Sequence, residues 1–264
     1  MADFRSYLGS LPPELTNALR EETTASDGLG AGTLDGLKLS YVGATSVSIA
    51  PGNCRAASNA ADISVPAPIV VNTSVSGVGG LDVGALGDDA DGWYAVYVIA
   101  GDAGVGGICS LSFSAPTLPT GYTEYRRVGA FRGDGVSSIL AFHCTGSGRA
   151  RTFWHDDPSA FAFTGPAGND DSFTDIDLSE IMPPTATVAL IDMRLTPSSV
   201  NNSVELRRNG SAGVHASLSG VVPAAVHTVS NVRIPVDENQ IIEYRVSAGT
   251  DAFDMDPVGY EDEL

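Results

Sequence analysis

The feature that most limits what this chain can fold into is a two-residue alternation of apolar and polar side chains that begins near Leu34 and recurs to the C-terminus. Leu37, Leu39 and Tyr41 alternate with Lys38, Ser40 and Val42; Gly43-Ala44 makes a turn; Val47 and Ile49 alternate with polar neighbours until Pro51-Gly52 breaks the run. Successive side chains of a strand point to opposite faces, so each run reads as a half-buried strand and the pair as a hairpin. The same reasoning predicts strands over 69–72, 93–100, 108–113, 125–132, 136–144 and 151–154, with Gly133-Asp134-Gly135 as a hairpin turn. Further strands are predicted over 187–195, 203–208, 229–236 and 241–247, the last two joined by Asp237-Glu238-Asn239-Gln240 as a four-residue hairpin loop. Short strands separated by Gly, Pro, Ser and Asp clusters argue for antiparallel sheets rather than alternating β-α units. No fixed-period repeat points to a solenoid or propeller.

Only the first thirty residues carry a helix signal. Pro12 and Pro13 suit a first turn, Glu14 suits the positive helix end, and Leu11, Leu15, Ala18 and Leu19 form a stripe. The Gly-rich stretch from Ser26 to Gly32 then reads as a tether. A short amphipathic helix on a tether needs a surface for its stripe, which makes Leu11, Leu15 and Leu19 candidate docking residues. A polar segment with Asn169-Asp170-Asp171 and Pro183-Pro184 marks a boundary. The expected organisation is an all-β fold of two antiparallel, jelly-roll-like β-sandwiches behind a short N-terminal helix. Its segments are an attachment region over 1–32, a first sandwich over 33–165, a linker over 166–184 and a second sandwich over 185–264.

Charge narrows the partners. Against 32 Asp and Glu the chain has 14 Lys and Arg, a formal charge of −18 that opposes phosphate backbones and anionic lipid, so neither nucleic acid nor membrane insertion is expected. Lys38 is the sole lysine; the other cations are arginines, which suit planar pairing with carboxylates. Clustered acids at neutral pH also predict that acid or divalent ions favour association. The start lacks a basic then apolar leader, so Sec-type secretion is not expected. Cys54, Cys109 and Cys144 are odd in number and widely spaced, and read as reduced, buried thiols rather than disulfides or zinc ligands.

Catalytic spacing is not found. There is no Gly-x-Ser-x-Gly elbow, P-loop or His-Glu-x-x-His, the four histidines are dispersed, and no catalytic residue, metal site or cofactor is assigned. Asp175-Ile176-Asp177 and Asp254-Met255-Asp256 have oxygen ligands for calcium but do not extend into an EF-hand loop. The segment Phe153-Trp154-His155-Asp156-Asp157 combines an aromatic platform, a titratable ring and two acids. Read blandly it is a strand end with its aromatics inward; read functionally, Trp154 and His155, with Tyr122, are candidate glycan contacts.

The stretch from Gly79-Gly80-Leu81-Asp82-Val83-Gly84 through Trp93-Tyr94-Ala95-Val96-Tyr97-Val98 to Pro119-Thr120-Gly121-Tyr122 and Arg126-Arg127-Val128-Gly129 resembles a module of tail-fibre, head-fibre and other virion proteins of tailed bacteriophages. Val236-Asp237, Ile242-Glu243-Tyr244-Arg245-Val246 and Gly259-Tyr260 resemble the last domain of such proteins. The resemblance spans roughly 33 to 264. It implies a non-enzymatic virion structural protein, made in the host bacterial cytoplasm, with an N-terminal segment that docks on other virion proteins. It further implies a homotrimer and a distal part that contacts a host surface glycan. The chain is short and lacks heptad or β-helical shaft repeats, which narrows the expectation to a short fibre, spike or tail-tip component. The alternatives are a stand-alone carbohydrate-binding module and a glycan-degrading enzyme built on an acidic pair.

Overall fold

The computed structural model describes residues 28–84, 91–158, 163–165, 172–196, 203–219, 228–246 and 252–264. The helix expected over 11–24, with Leu11, Leu15 and Leu19, lies outside them. The described chain is all-β, with almost no helix. In chain order its strands begin with β1 (Leu34–Gly36), β2 (Leu39–Gly43), β3 (Ser46–Ile49), β4 (Gly52–Arg55), β5 (Asp62–Val65) and β6 (Ile69–Asn72). There follow β7 (Asp91–Gly101), β8 (Gly104–Ser110), β9 (Glu124–Asp134), β10 (Phe142–Ser147), β11 (Ala150–His155), β12 (Phe163–Gly165) and β13 (Thr174–Asp177). The last six are β14 (Ala186–Thr196), β15 (Ser203–Arg208), β16 (Ala216–Ser219), β17 (Thr228–Pro235), β18 (Ile241–Val246) and β19 (Ala252–Glu263).

The strands form five antiparallel sheets. Three have three strands each, in the orders β1-β4-β5, β2-β3-β6 and β8-β7-β9; one has four, β13-β18-β15-β16. The largest runs β10-β11-β19-β14-β17, with β12 beside β19. β19 therefore pairs on one side with β11, from before the polar segment over 166–184, and on the other with β14, from after it. One hydrophobic cluster takes in described side chains from Leu34 to Leu264.

Burial on both faces explains the apolar run of β7. Tyr94, Val96 and Val98 face the main core, and Tyr94 stacks on its cross-strand partner Phe131 with ring centroids 5.4 Å apart. Ala95, Tyr97 and Ile99 point the other way into a satellite cluster with Ile108, roofed by Phe113, Leu118, Tyr122 and Tyr125. The Tyr97 hydroxyl donates to the Ser112 carbonyl at 2.7 Å and ties that roof down. The free edge of β8 is covered by the Gly80-Leu81-Asp82 segment: Cys109 N donates to Gly80 O at 2.9 Å and Asp82 N to Cys109 O at 2.8 Å. Capping an edge in this way removes unpaired backbone groups that would recruit another strand.

Two turns differ from expectation. The segment after β9 folds back antiparallel on it only briefly: Gly133 bridges Ile139, Asp134 N donates to Ser138 O at 2.8 Å and Leu140 N to Arg132 O at 2.9 Å, around a loop in which Asp134 Oδ1 accepts from the backbone N–H of Val136, Ser137 and Ser138 at 2.8–3.0 Å. The strand expected over 136–144 starts only at Phe142 and pairs with β11. Asp237–Gln240 does not join paired strands: β17 joins β14 in the largest sheet, whereas β18 joins β13 and β15. The Asp237 carboxylate accepts from Asn239 N and Ile241 N and turns the chain from one sheet to another.

Candidate functional site

β11 sorts the candidate contacts. Its alternation sends Arg151, Phe153 and His155 inward, while Thr152 and Trp154 face outward. Phe153 stacks on Tyr260 at 5.1 Å, and Tyr260 meets Trp93 edge-on at 5.4 Å. His155 sits 6.0 Å from the Tyr260 ring and lines a small internal void with Trp93, Phe131, Arg132 and Phe142. Its pKa is pushed down to about 4, chiefly because burial disfavours the imidazolium; the nearby Arg132 guanidinium acts in the same direction, and a backbone hydrogen bond at Ile181 opposes them. At neutral pH the ring is uncharged and built into the interior.

Trp154 is half-buried on the opposite face. Its Nε1 donates to Thr145 Oγ1 at 3.2 Å, which holds the indole along the β10–β11 pair. Directly across the pair stands His143, whose Nε2 lies 3.0 Å from Asp156 Oδ1. Both partners are exposed, with 73% and 57% of their side-chain surface open. Tyr122 is elsewhere, in the roof over the satellite cluster. Trp154, His155 and Tyr122 therefore occupy three separate surroundings and do not make one platform.

The structure instead gathers residues that the sequence left apart. The edge of β2 and the edge of β10 face each other across a groove of about 380 Å³, lined by Lys38, Ser40, Tyr41, Phe142, His143 and Asp156. Tyr41 and Phe142 meet edge-on at 6.4 Å on its floor. The sole lysine, an imidazole, a carboxylate, a hydroxyl and a phenol thus line one groove, and Trp154 is the cross-strand neighbour of His143 at its side. Such a groove can present donors and acceptors to a polyhydroxyl ligand over aromatic surface. Register could have shown one part of this, because a hairpin turning at Gly148-Arg149 sets His143 opposite Trp154; the approach of β2 to β10 is not encoded locally.

Elsewhere the charges hold strands together. Arg127 grips Asp262 with Nη1–Oδ2 at 2.5 Å and Nη2–Oδ1 at 3.1 Å, and the Asp262 side chain has no exposed surface. Arg149 donates to the Leu264 carbonyl and lies 3.4 Å from Glu263. Arg233 pairs with Glu261, Arg194 with Asp256, Arg207 with Glu243, and Arg245 with Glu205. The guanidiniums of Arg207 and Arg245 also lie over the Phe173 ring, at 3.7 and 4.7 Å from its centroid. Asp254 and Asp256, a candidate calcium pair, are ladder positions of β19, and Asp177 accepts from Ser179 N. Among the described residues no three His, Cys, Asp or Glu side chains come together at metal-binding range. Cys54, Cys109 and Cys144 are free and buried, and burial raises their thiol pKa values, to about 11 for Cys54 and about 12 for Cys109. No described helix is long and apolar enough to cross a membrane. Neither a protein-family model, nor a curated protein, nor a solved structure matches the chain.

Proposed function

We propose that the chain is a non-enzymatic structural component of a bacteriophage particle, a short fibre, spike or tail-tip protein. In this reading 1–32 is a helical attachment segment for other virion proteins, and two jelly-roll-like sandwiches behind it build a homo-oligomer, with a trimer as its expected form. The observation that carries the reading is the use of charge. Arginines are committed to carboxylates of neighbouring strands, and the most buried of these pairs, Arg127 with Asp262, fastens β19 to β9. Pairs of that kind stiffen a scaffold; a hydrolase needs its acids left free in a cleft. The test is to purify particles from the bacterial host by density gradient and label them with an antibody against this chain. Labelling at a fixed position is expected, and a chain that remains wholly in the soluble lysate contradicts the proposal.

One observation favours a second activity on the same scaffold. The Lys38, Tyr41, His143 and Asp156 groove beside Trp154 suits a host surface glycan, whether the chain works on a particle or as a stand-alone binding module. A glycan array probed with the full chain tests it. Binding lost in His143→Ala and Tyr41→Ala is expected, with no release of reducing ends, and release of reducing ends would instead favour a glycan-degrading enzyme.

A further inference from the structure

The outward side of the β10–β11 hairpin leads from the Lys38 groove to a second groove. Phe142, Cys144, Arg151 and Phe153 are buried on the inner side, so alternation turns His143, Thr145 and Ser147 of β10 outward together with Trp154, Thr152 and Ala150 of β11. The register runs unbroken from Phe142 opposite His155 to Ser147 opposite Ala150, which keeps these side chains in line. From His143 to Ser147 the strip is about 14 Å long, at roughly 3.4 Å per residue. Asp156, just past β11, is held at its near end by the 3.0 Å contact with His143.

The second groove opens at the far end, with a volume of about 570 Å³ and Ser147, Arg149, Thr152, Thr187, Arg233 and Glu261 in its lining. Glu261 of β19 stands directly across from Thr152, and Arg233 of β17 reaches over β14 to pair with Glu261 at 2.5 Å. Arg149 lies 3.4 Å from Glu263 at the hairpin turn. Between the two grooves stands the half-buried Trp154, its indole pinned by the Nε1 bond to Thr145 Oγ1. One face of one sheet thus carries a groove, an aromatic ring and a second groove in sequence, with hydroxyls along the way.

We infer that the two grooves and Trp154 form one elongated site for an uncharged oligosaccharide of several residues, one sugar ring lying on the indole and the chain running into a groove at either end. This longer site extends the glycan groove proposed above and rests on that reading. A sugar ring offers a C–H face and a rim of hydroxyls. The strip answers both, with an indole for the face and with Thr145, Thr152, Arg233 and Glu261 as donors and acceptors for the rim. A single ring cannot reach both grooves, so the ligand has to be a chain. Charge selects a neutral one. The carboxylates in the second groove are each held by an arginine, Glu261 by Arg233, Glu263 by Arg149 and Asp262 by Arg127, and Asp156 is held by His143 in a groove that also contains Lys38. The strip therefore offers a polyanion no field strong enough to offset the −18 of the whole chain.

The full chain is tested on an array of neutral hexose oligosaccharides of one to six residues beside uronate oligosaccharides of the same lengths, and the neutral series bound best is then titrated by calorimetry. Affinity should rise by about tenfold or more between two residues and five. Trp154→Ala should weaken binding by about tenfold, with Trp154→Phe restoring most of it. Arg233→Ala and Thr152→Val, both on the sheet surface, should each weaken the longer ligands by about threefold to tenfold and the shorter ones less. Should Trp154→Ala lose native circular dichroism, the Arg233 and Thr152 variants decide. Equal affinity for short and long chains, preference for the uronate series, or indifference to both Arg233→Ala and Thr152→Val overturns the elongated site; if His143→Ala still abolishes binding, the Lys38 groove stands alone. An array on which no oligosaccharide binds overturns the glycan reading and the elongated site together.

Discussion

His155 lies against Tyr260 and near the Arg132 guanidinium, where an imidazolium is disfavoured and the pKa falls to about 4. In the unfolded chain the ring titrates near 6.5, so between about 6.5 and 4 the unfolded state binds a proton that the folded state refuses. Stability is therefore complete above 6.5 and lost as pH falls towards and through 4, by roughly 3 kcal/mol for this one group. Thermal melts at pH 7 and pH 4.5 should show the drop, and His155→Phe should flatten it; an unchanged slope would contradict the burial argument. Lower in pH a separate loss is expected, because the Arg207 guanidinium holds the Glu243 carboxyl below its ordinary range and that contribution disappears as the acid protonates. The Arg127–Asp262 pair makes a different prediction. Arg127→Leu leaves a buried carboxylate without its partner and should cost about 3–5 kcal/mol by urea unfolding, much of it restored when Asp262→Leu is added. Gly259 is held to glycine by closeness rather than by dihedral angle: a Cβ there would stand 2.2 Å from the Phe153 carbonyl oxygen. Gly259→Ala should therefore destabilise by about 2–4 kcal/mol in the same assay, and a change below 0.5 kcal/mol would contradict the register assigned to β11 and β19.

At the scale of elements, strands with clean alternation were legible and strands laden with acid were not. The hairpin of β2 and β3, the short β6 and the doubly buried β7 follow directly from where apolar residues fall. β19 did not: Asp254, Asp256, Glu261 and Asp262 interrupt its apolar residues, and Pro257 argues against a central strand. The structure accommodates both. Its acids meet Arg194, Arg233 and Arg127, and Pro257 sits where the pairing with β14 shifts register between Leu190 and Ile191. Pairing between distant strands was equally hidden, because a four-residue loop such as Asp237–Gln240 reads the same whether it closes a hairpin or crosses between sheets. Removal of 252–264 takes the centre out of the largest sheet and should abolish the cooperative urea transition rather than merely lower its midpoint; a retained transition would show that β19 is peripheral.

For the whole molecule, composition pointed correctly to how arginine is used, in planar pairs with carboxylates. The candidate glycan residues were less legible. Trp154, His155 and Tyr122 are aromatic and near acids in sequence, but β11 alternation separates the first two and the satellite cluster holds the third. The Lys38, Tyr41, His143 and Asp156 groove depends on two sheet edges meeting, which no local pattern encodes. The charge of −18 makes self-association a matter of screening: added salt should tighten it by damping repulsion between the acidic surfaces. The measurement that bears most directly on the account is the mass of the full chain by light scattering on a sizing column, at low and at high salt. A defined multiple of 27.2 kDa that grows more populated with salt is expected; a monomer under both conditions would contradict the claim that this is an assembling structural protein.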